Sequence, residues 1–530
     1  MSSAPIFGFN DSKREIVQEV AQRVVASAAD PIFLLNEAAY LEMRRLAGKD
    51  GPEYAEWRSL ATSLGRATEA DAREKLQGLA ERYAWDVAGN FNPSVYKFAT
   101  KAMVPLLGTI LSPRSALRNI PQLGALHALD GRVVVQGPTE TIAALAEIGT
   151  IVFTPTHLSN LDSVVFGFAL ERAGLPPATY GAGKNLFTNP VLSFFMHNLG
   201  AYRVDRRLKH ALYKDVLKTY SCVLIERGYH SLFFPGGTRS RSGGVERRLK
   251  LGLAGTGIEA FSRSAERGKA QRVFFVPATI NYMLTLEAET LIDDFLQEEG
   301  KARYIIEDDE STRLARIAAF SQKLLGLDES VVIRFAQPLD CFGNRVDEHG
   351  VSFDTHGRRV EAETYLFGED GKPRRDAGRD TQYTRELGDA IVESFARETV
   401  IMATHVVAAA AFDHLRATVG KGDLFALLNH RDAVRIARQE LVAKIATLIE
   451  RARELERDAK IVLAPQLSAR PEQVLDSALR AFAGYHTNPV IGAGATDLVL
   501  EDTRLLFYYQ NRLAAHGLAF DALKPKGRSP

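Results

Sequence analysis

Histidine followed five positions later by aspartate occurs four times in the chain, as His157/Asp162, His210/Asp215, His349/Asp354 and His516/Asp521. Such a pair does chemistry when the carboxylate accepts the imidazole Nδ1–H. The tautomer is then fixed, and Nε2 is left to take a proton from a hydroxyl group. Five residues of regular helix turn a side chain through about 500°, which leaves it about 140° from the starting face. A pair lying wholly on a helix therefore cannot touch, and His210/Asp215 falls inside a helix-like stretch. His349 lies in a turn-rich loop and His516 near the C-terminus. His157 instead leaves an apolar run in Thr154-Pro-Thr-His-Leu-Ser-Asn-Leu-Asp162, and Ser159 with Asp162 has the spacing of a capping box that opens the next helix. The histidine then stands in a strand-to-helix turn and the aspartate reaches back to it from the first helical turn. The competing reading makes Asp162 a helix cap and His157 a turn residue, and the surrounding segments decide between the two.

Those segments are Gly200-Ala-Tyr-Arg-Val-Asp-Arg-Arg207, Phe233-Phe-Pro-Gly-Gly-Thr-Arg-Ser-Arg-Ser-Gly243, Lys250-Leu-Gly252 and Phe275-Val-Pro-Ala-Thr-Ile-Asn-Tyr282. Glycines let backbone N–H groups approach a phosphate, and arginine offers paired donors to its oxygens. A loop of Gly236, Gly237, Thr238, Arg239, Ser240 and Arg241 at the end of a strand suits an anionic head group, in the crevice where open α/β sheets bind ligands. It lacks Gly-Lys-Ser/Thr, which argues against a P-loop nucleotide site.

Taken in order, four blocks resemble the glycerolipid acyltransferase family of bacterial glycerol-3-phosphate and lysophosphatidate acyltransferases. They are His157-x4-Asp162, Gly200-Ala-x-x-Val-Asp-Arg206, Phe234-Pro-x-Gly-Thr-Arg-Ser240 and Val276-Pro277, with Lys250-x-Gly252 matching a Lys-x-Gly after the third. The resemblance covers roughly residues 120–340. One position departs from it: Gly236 stands where the family usually has Glu. The resemblance implies His157 as general base and Asp162 as the residue that orients it. It also implies that Arg206, Gly237, Thr238, Arg239, Ser240 and Lys250 bind glycerol 3-phosphate, with Arg203, Arg207 and Arg241 as second-rank candidates. The acyl donor would be acyl-CoA or acyl carrier protein, attacked directly, with no metal or other cofactor. Two alternatives stay open: an acyltransferase for lysophosphatidate or another lipid hydroxyl, and a catalytically silent lipid- or acyl-carrier-binding protein, the latter motivated by Gly236.

To position these residues the sequence needs a sheet. Short β-branched or aromatic runs at Arg132–Gln136, Thr150–Pro155, Ser231–Pro235, Arg272–Thr279 and Val331–Phe335 alternate with helix-like segments at Leu161–Arg172, Lys209–Arg227 and Arg247–Arg267. Runs apolar on both faces belong in the middle of an α/β layer. The expected fold class is α/β, a mixed, mostly parallel sheet flanked by helices, with helical N- and C-terminal regions. The expected divisions are 1–118 (helical), 119–341 (α/β), 342–380 (a turn-rich insertion of short strands or a mobile loop) and 381–530 (helical). In the first, Asp11 and Ser12 are candidate caps for a stripe of Ile16, Val20 and Val24, Pro31 follows Asp30, and Thr68 with Asp71 forms a capping box.

The 530 residues are enough for two to four structural units. Lys plus Arg (66) against Asp plus Glu (65) leaves +1, which argues against a nucleic-acid-coating protein. Cys222 and Cys341 cannot make a disulfide framework or a Cys-rich zinc site. No signal-peptide pattern opens the chain, and no window reaches about 18 uncharged apolar residues, the length of a spanning helix. The expected place is the cytoplasm, peripheral on the inner face of the cell membrane. Charge is uneven: residues 181–270 hold 16 Lys/Arg against 6 Asp/Glu, and residues 281–310 hold 10 Asp/Glu against 2 Lys/Arg. The basic stretch suits a phosphorylated acceptor and an anionic bilayer alike. Val95–Leu111 suits either a membrane interface or a core helix broken at Pro105.

Overall fold

The run Ile151-Val-Phe153 is buried on both faces, because helices cover both sides of the strand that contains it. The computed structural model describes residues 4–99, 133–299 and 331–522, apart from 49–50, 185–186, 188–189, 270, 421–423, 431, 484–485, 488 and 494–496.

Four helices come first: α1 (Phe9–Ser27), α2 (Pro31–Arg45), α3 (Pro52–Leu64) and α4 (Glu69–Val87). Ile16, Val20 and Val24 are buried along α1. That helix starts at Phe9, out of a 3-10 turn at Pro5–Gly8, so Asp11 lies in its first turn rather than at its cap. Asp30 caps α2 by accepting from Phe33 N–H, and Thr68 and Asp71 make both halves of a capping box on α4.

The α/β region runs β1 (Val133–Gln136), α5 (Thr139–Ile148), β2 (Gly149–Pro155), α6 (Asp162–Arg172), β3 (Thr179–Gly183), α7 (Pro190–Asn198) and β4 (Ala201–Val204). It continues through α8 (Ala211–Glu226), β5 (Ser231–Leu232), α9 (Gly255–Glu266), β6 (Arg272–Tyr282), α10 (Ala288–Glu299), β7 (Val331–Phe335) and β8 (Leu339–Asp340). Strands β4-β3-β5-β2-β6 lie in that order and are all parallel. Antiparallel β7 and β8 share the far side of β6, and β1 runs parallel beside β7. The sheet is mixed and mostly parallel. Strands β3 and β4 were not expected: they are short, and β3 carries Gly181 and Gly183, which mask the β-branched signal. Helix α9 starts at Gly255 rather than Arg247, because the Lys250 N–H is taken by the Pro235 carbonyl and the chain stays in a loop until it is past that contact.

Residues 342–380 hold three two-residue strands, β9 (Arg345–Val346), β10 (Ser352–Phe353) and β11 (Arg359–Val360), which extend the sheet from β8 as an antiparallel meander. Beyond them α11 (Ala377–Arg397), α12 (Ala403–Val419), α13 (Arg438–Arg457), α14 (Pro471–Phe482) and α15 (Thr503–Ala514) form the helical C-terminal region. Helix α12 is buried from Ala403 to Phe412, its alanines letting α13, α14 and α15 pack close around it. The core around α12 continues into Met283, Leu284 and Leu291, so this region is joined to the sheet at the end of β6. The N-terminal helices instead pack on α8, through Leu212, Tyr213, Val216 and Tyr220. No single helix among the described residues is long and apolar enough to cross a membrane. The interface candidate Val95–Leu111 lies outside the described residues from 100 onward.

Candidate active site

Because β2, β3, β4 and β5 are parallel, their carboxyl ends open on one edge of the sheet. His157 stands two residues past β2. Its Nδ1 is 2.8 Å from Asp162 Oδ2, and its ring stacks on Phe234 with centroids 4.1 Å apart. Both of its backbone groups are tied to the chain that follows β5: its N–H donates to Glu246 Oε1 at 2.8 Å, and its carbonyl accepts from Ser240 N–H at 2.7 Å.

Asp162, the first residue of α6, is fully buried. Besides the imidazole, its Oδ2 accepts from Leu158 N–H at 2.6 Å and Ser159 N–H at 2.9 Å, and its Oδ1 accepts from the Tyr282 hydroxyl at 2.7 Å. Burial, and then the Asp162 charge, push the Tyr282 phenol well above its ordinary value, so it stays a donor. The capping box is half present: Asp162 reaches Ser159 N–H, but Ser159 Oγ accepts from Leu161 N–H at 3.1 Å. Among the other spaced histidines, His210 caps α8 by accepting from Tyr213 N–H and meets the Tyr83 hydroxyl at 3.2 Å. His349 is exposed in the β9–β10 turn, and His516 follows the end of α15.

In front of His157 lies a cleft of about 790 Å³, whose wall includes Arg206, Gly237, Thr238, Arg239 and Lys250. Gly237 has φ +73°, and a Cβ there would come within 2.4 Å of Lys250 Cδ, so the glycine is what lets Lys250 lie across the loop. Ser240 is placed differently. Its hydroxyl donates to the Gly244 carbonyl at 2.8 Å, so it holds the loop closed. Arg239 Nη1 is 3.2 Å from the buried Glu287, which also accepts from Asn160 N–H at 3.0 Å, and Arg241 pairs with Glu298. The acidic stretch thus folds back onto the basic one. Among the described residues, no ion pair joins Arg206 to a carboxylate. Partial burial in the cleft, and then the Arg239 charge, push its guanidinium below the ordinary value. Arg207 is drawn to Asp205 at 2.7 Å and Arg203 lies 3.8 Å from Asp86, which places both in structural ion pairs.

The cleft wall also includes Tyr180, Gly181 and Gly183 of β3 and the apolar Met196, Leu217 and Leu253, together with Lys214 and Lys218. Cys222 is buried on α8, its thiol donating to Glu226 at 3.2 Å, and burial raises that thiol well above the ordinary range, which removes it as a nucleophile. Among the described residues no three His, Cys, Asp or Glu side chains gather as metal ligands.

Sequence reasoning missed Tyr282, Glu287 and Glu246. Tyr282 ended a strand already marked for its Val-Pro, and a hydroxyl at that end was the available signal. Glu287 and Glu246 have no spacing to reveal them. Glu246 bears on the departure at Gly236: a Cβ on Gly236 would lie 3.4 Å from Glu246 Cγ and 3.5 Å from its Oε1. Position 236 and the Glu246 side chain are thus direct neighbours.

Residues 132–281 match the family described as Acyltransferase. The chain is 29% identical over 257 residues to proteins named glycerol-3-phosphate acyltransferase from Pseudomonas paraeruginosa and from Pseudomonas aeruginosa strain PAO1, a match covering 46% of this chain and 28% of each relative. It is 28% identical over 222 residues to the protein of that name from Aeromonas hydrophila, covering 41% of this chain and 25% of the relative. The chain thus spans about a quarter of the length of the curated relatives it matches.

Proposed function

We propose, from the premise that residues 132–281 form an acyltransferase-family domain, that this protein moves a fatty acyl group from acyl-CoA or acyl carrier protein to a hydroxyl of glycerol 3-phosphate. The supporting observation is that a histidine with Nδ1 committed to a buried carboxylate borders the same cleft as Arg206, Arg239 and Lys250. With Nδ1 engaged, Nε2 is the nitrogen that takes the acceptor's hydroxyl proton. The alkoxide oxygen then bonds to the thioester carbonyl carbon. The resulting intermediate expels the thiolate, which recovers the proton from the imidazolium, leaving an ester and a free thiol. Asp162 balances the transient positive charge on His157. The phosphate is held by Arg206 and Lys250, with Arg239 shared between it and Glu287, and with the Thr238 hydroxyl and Gly237 N–H. Met196, Leu217 and Leu253 of the same cleft are apolar surface for the acyl chain. Such a protein works in the cytoplasm on the inner face of the cell membrane, where its product dissolves.

The test is purified protein incubated with labelled glycerol 3-phosphate, or with lysophosphatidate, and with either palmitoyl-CoA or acyl carrier protein as donor. Labelled lysophosphatidate should form from the first acceptor. No acyl transfer to glycerol 3-phosphate, or an equal rate with the lysolipid, would overturn the reading.

A further inference from the structure

The segment after the glycine loop also holds His157. Glu246 Oε1 holds the His157 N–H at 2.8 Å, while Ser240 N–H holds the His157 carbonyl at 2.7 Å, so one loop grips the residue on both sides of its α-carbon. The second oxygen, Glu246 Oε2, is buried and has no hydrogen-bond partner among the described residues. Gly236, which has no side chain, lies beside the same carboxylate: a Cβ built there would meet Glu246 Cγ at 3.4 Å and Oε1 at 3.5 Å. Behind the loop, the C-terminal helix α15 buries Arg512, whose Nη2 donates to the Ile280 carbonyl at 3.2 Å and to Asn281 Oδ1 at 3.1 Å. Asn511 of the same helix donates to the Ser242 carbonyl at 2.9 Å, and a Cβ on Gly243 would come within 2.4 Å of the Tyr508 carbonyl. Helix α15 therefore braces the loop from below.

We infer that Glu246, on a loop braced by the C-terminal helix, is a positioning residue for His157 and occupies the place that a carboxylate side chain at position 236 would fill. Burial raises the Glu246 carboxyl to about 7, and the hydrogen bond from His157 N–H and then the Arg512 charge oppose that rise. The two groups thus answer one another across the loop.

The inference rests on the acyl-transfer reading, and its test includes a measurement that does not. Three variants are compared with wild type: Glu246→Ala, Glu246→Gln and the relocation Gly236→Glu/Glu246→Gly. The readouts are kcat and KM for glycerol 3-phosphate and palmitoyl-CoA, and the downfield NMR resonance of the His157 Nδ1 proton. Loss of geometry at a general base costs up to about 100-fold, so Glu246→Ala should lower kcat at least about 10-fold with both KM values within about 2-fold. It should also shift or broaden the Nδ1 proton. Glu246→Gln keeps an oxygen that accepts the same N–H and should restore both readouts. The relocation should restore a large part of kcat, and it decides the matter even if Glu246→Ala does not fold. A Glu246→Ala protein with unchanged kcat and an unmoved Nδ1 proton overturns the inference, and so does a folded relocation variant as slow as Glu246→Ala. If no variant, wild type included, turns over substrate, the acyl-transfer reading fails while the proton resonance still tests the positioning role.

Discussion

The corner that holds His157 and the cationic end of the cleft in front of it are built on opposite principles. At the corner, Asp162 receives four donors and lies out of contact with solvent, so the His157 imidazole has little freedom to drift. At the cationic end, Arg206 and Arg239 stand close enough for one charge to depress the other, and Glu287 pairs with Arg239. The first arrangement adds to stability and fixes the imidazole in one orientation. The second sets two like charges side by side at some cost in stability, which a bound anion would relieve.

The largest effect that separates them is expected from Asp162→Ala. It strands Leu158 N–H, Ser159 N–H and the Tyr282 hydroxyl in the core, and each buried group left unpaired costs about 1–3 kcal/mol. Thermal unfolding should move down by several degrees, with turnover at least about 100-fold lower. An Asp162→Ala protein that melts with wild type would break the description of the corner. His157→Ala should lose about 100- to 10,000-fold in turnover, the range of general-base catalysis, with much less change in melting. Its ring contributes one of the four donors and borders the cleft. Arg206→Gln should do the reverse of Asp162→Ala: KM for glycerol 3-phosphate rises at least about 10-fold, the scale of one charge-assisted hydrogen bond. The melting temperature should stay level or rise, because a like-charge contact has been removed. A fall in stability would show that the cationic end is structural.

The sequence carried the parts of this comparison that depend on local pattern. Ile151-Val-Phe153 announced a buried strand, and the turn that follows could present one histidine to one aspartate, because the strand-to-helix change frees the pair from helical geometry. Gly237 and Lys250 were legible as a glycine loop and a nearby cation, although not as residues that must interlock. What was hidden depends on long-range folding. Tyr282 meets Asp162 across 120 positions, and Glu246 meets His157 across 89. The pairing of Arg239 with Glu287 and of Arg241 with Glu298 turned two oppositely charged stretches into neighbours, which composition could count but not place. Strand β3 escaped notice because glycines make a poor strand signal even where, as at Gly181 against the Tyr202 ring, a close approach requires one, and β4 because it is only four residues long.

The smallest effect probes where the comparison ends, at a histidine with the same Asp spacing and none of the same surroundings. His210 is buried between the Tyr83 hydroxyl and Tyr213 N–H, and burial lowers its imidazole from 6.5 to about 4. The folded state therefore holds it neutral, while the unfolded chain takes up a proton near 6.5. A group depressed on folding contributes stability that is present above the unfolded value and is lost as pH falls through the folded one. Its contribution should hold above about pH 6.5 and fade towards pH 4. His210→Asn keeps an acceptor suited to the cap of α8 but cannot titrate. Urea midpoints for the two proteins should run parallel above pH 6.5 and converge as pH falls towards 4, with wild type losing more. Activity at neutral pH should be unchanged, since His210 serves the packing of α4 on α8 and not the cleft. Other buried imidazoles, His230 and His405 among them, are common to both proteins, so their titration cancels in the difference. Midpoints that stay parallel down to pH 4 would mean that His210 accepts its proton in place, and burial would then no longer explain why it lies outside the chemistry.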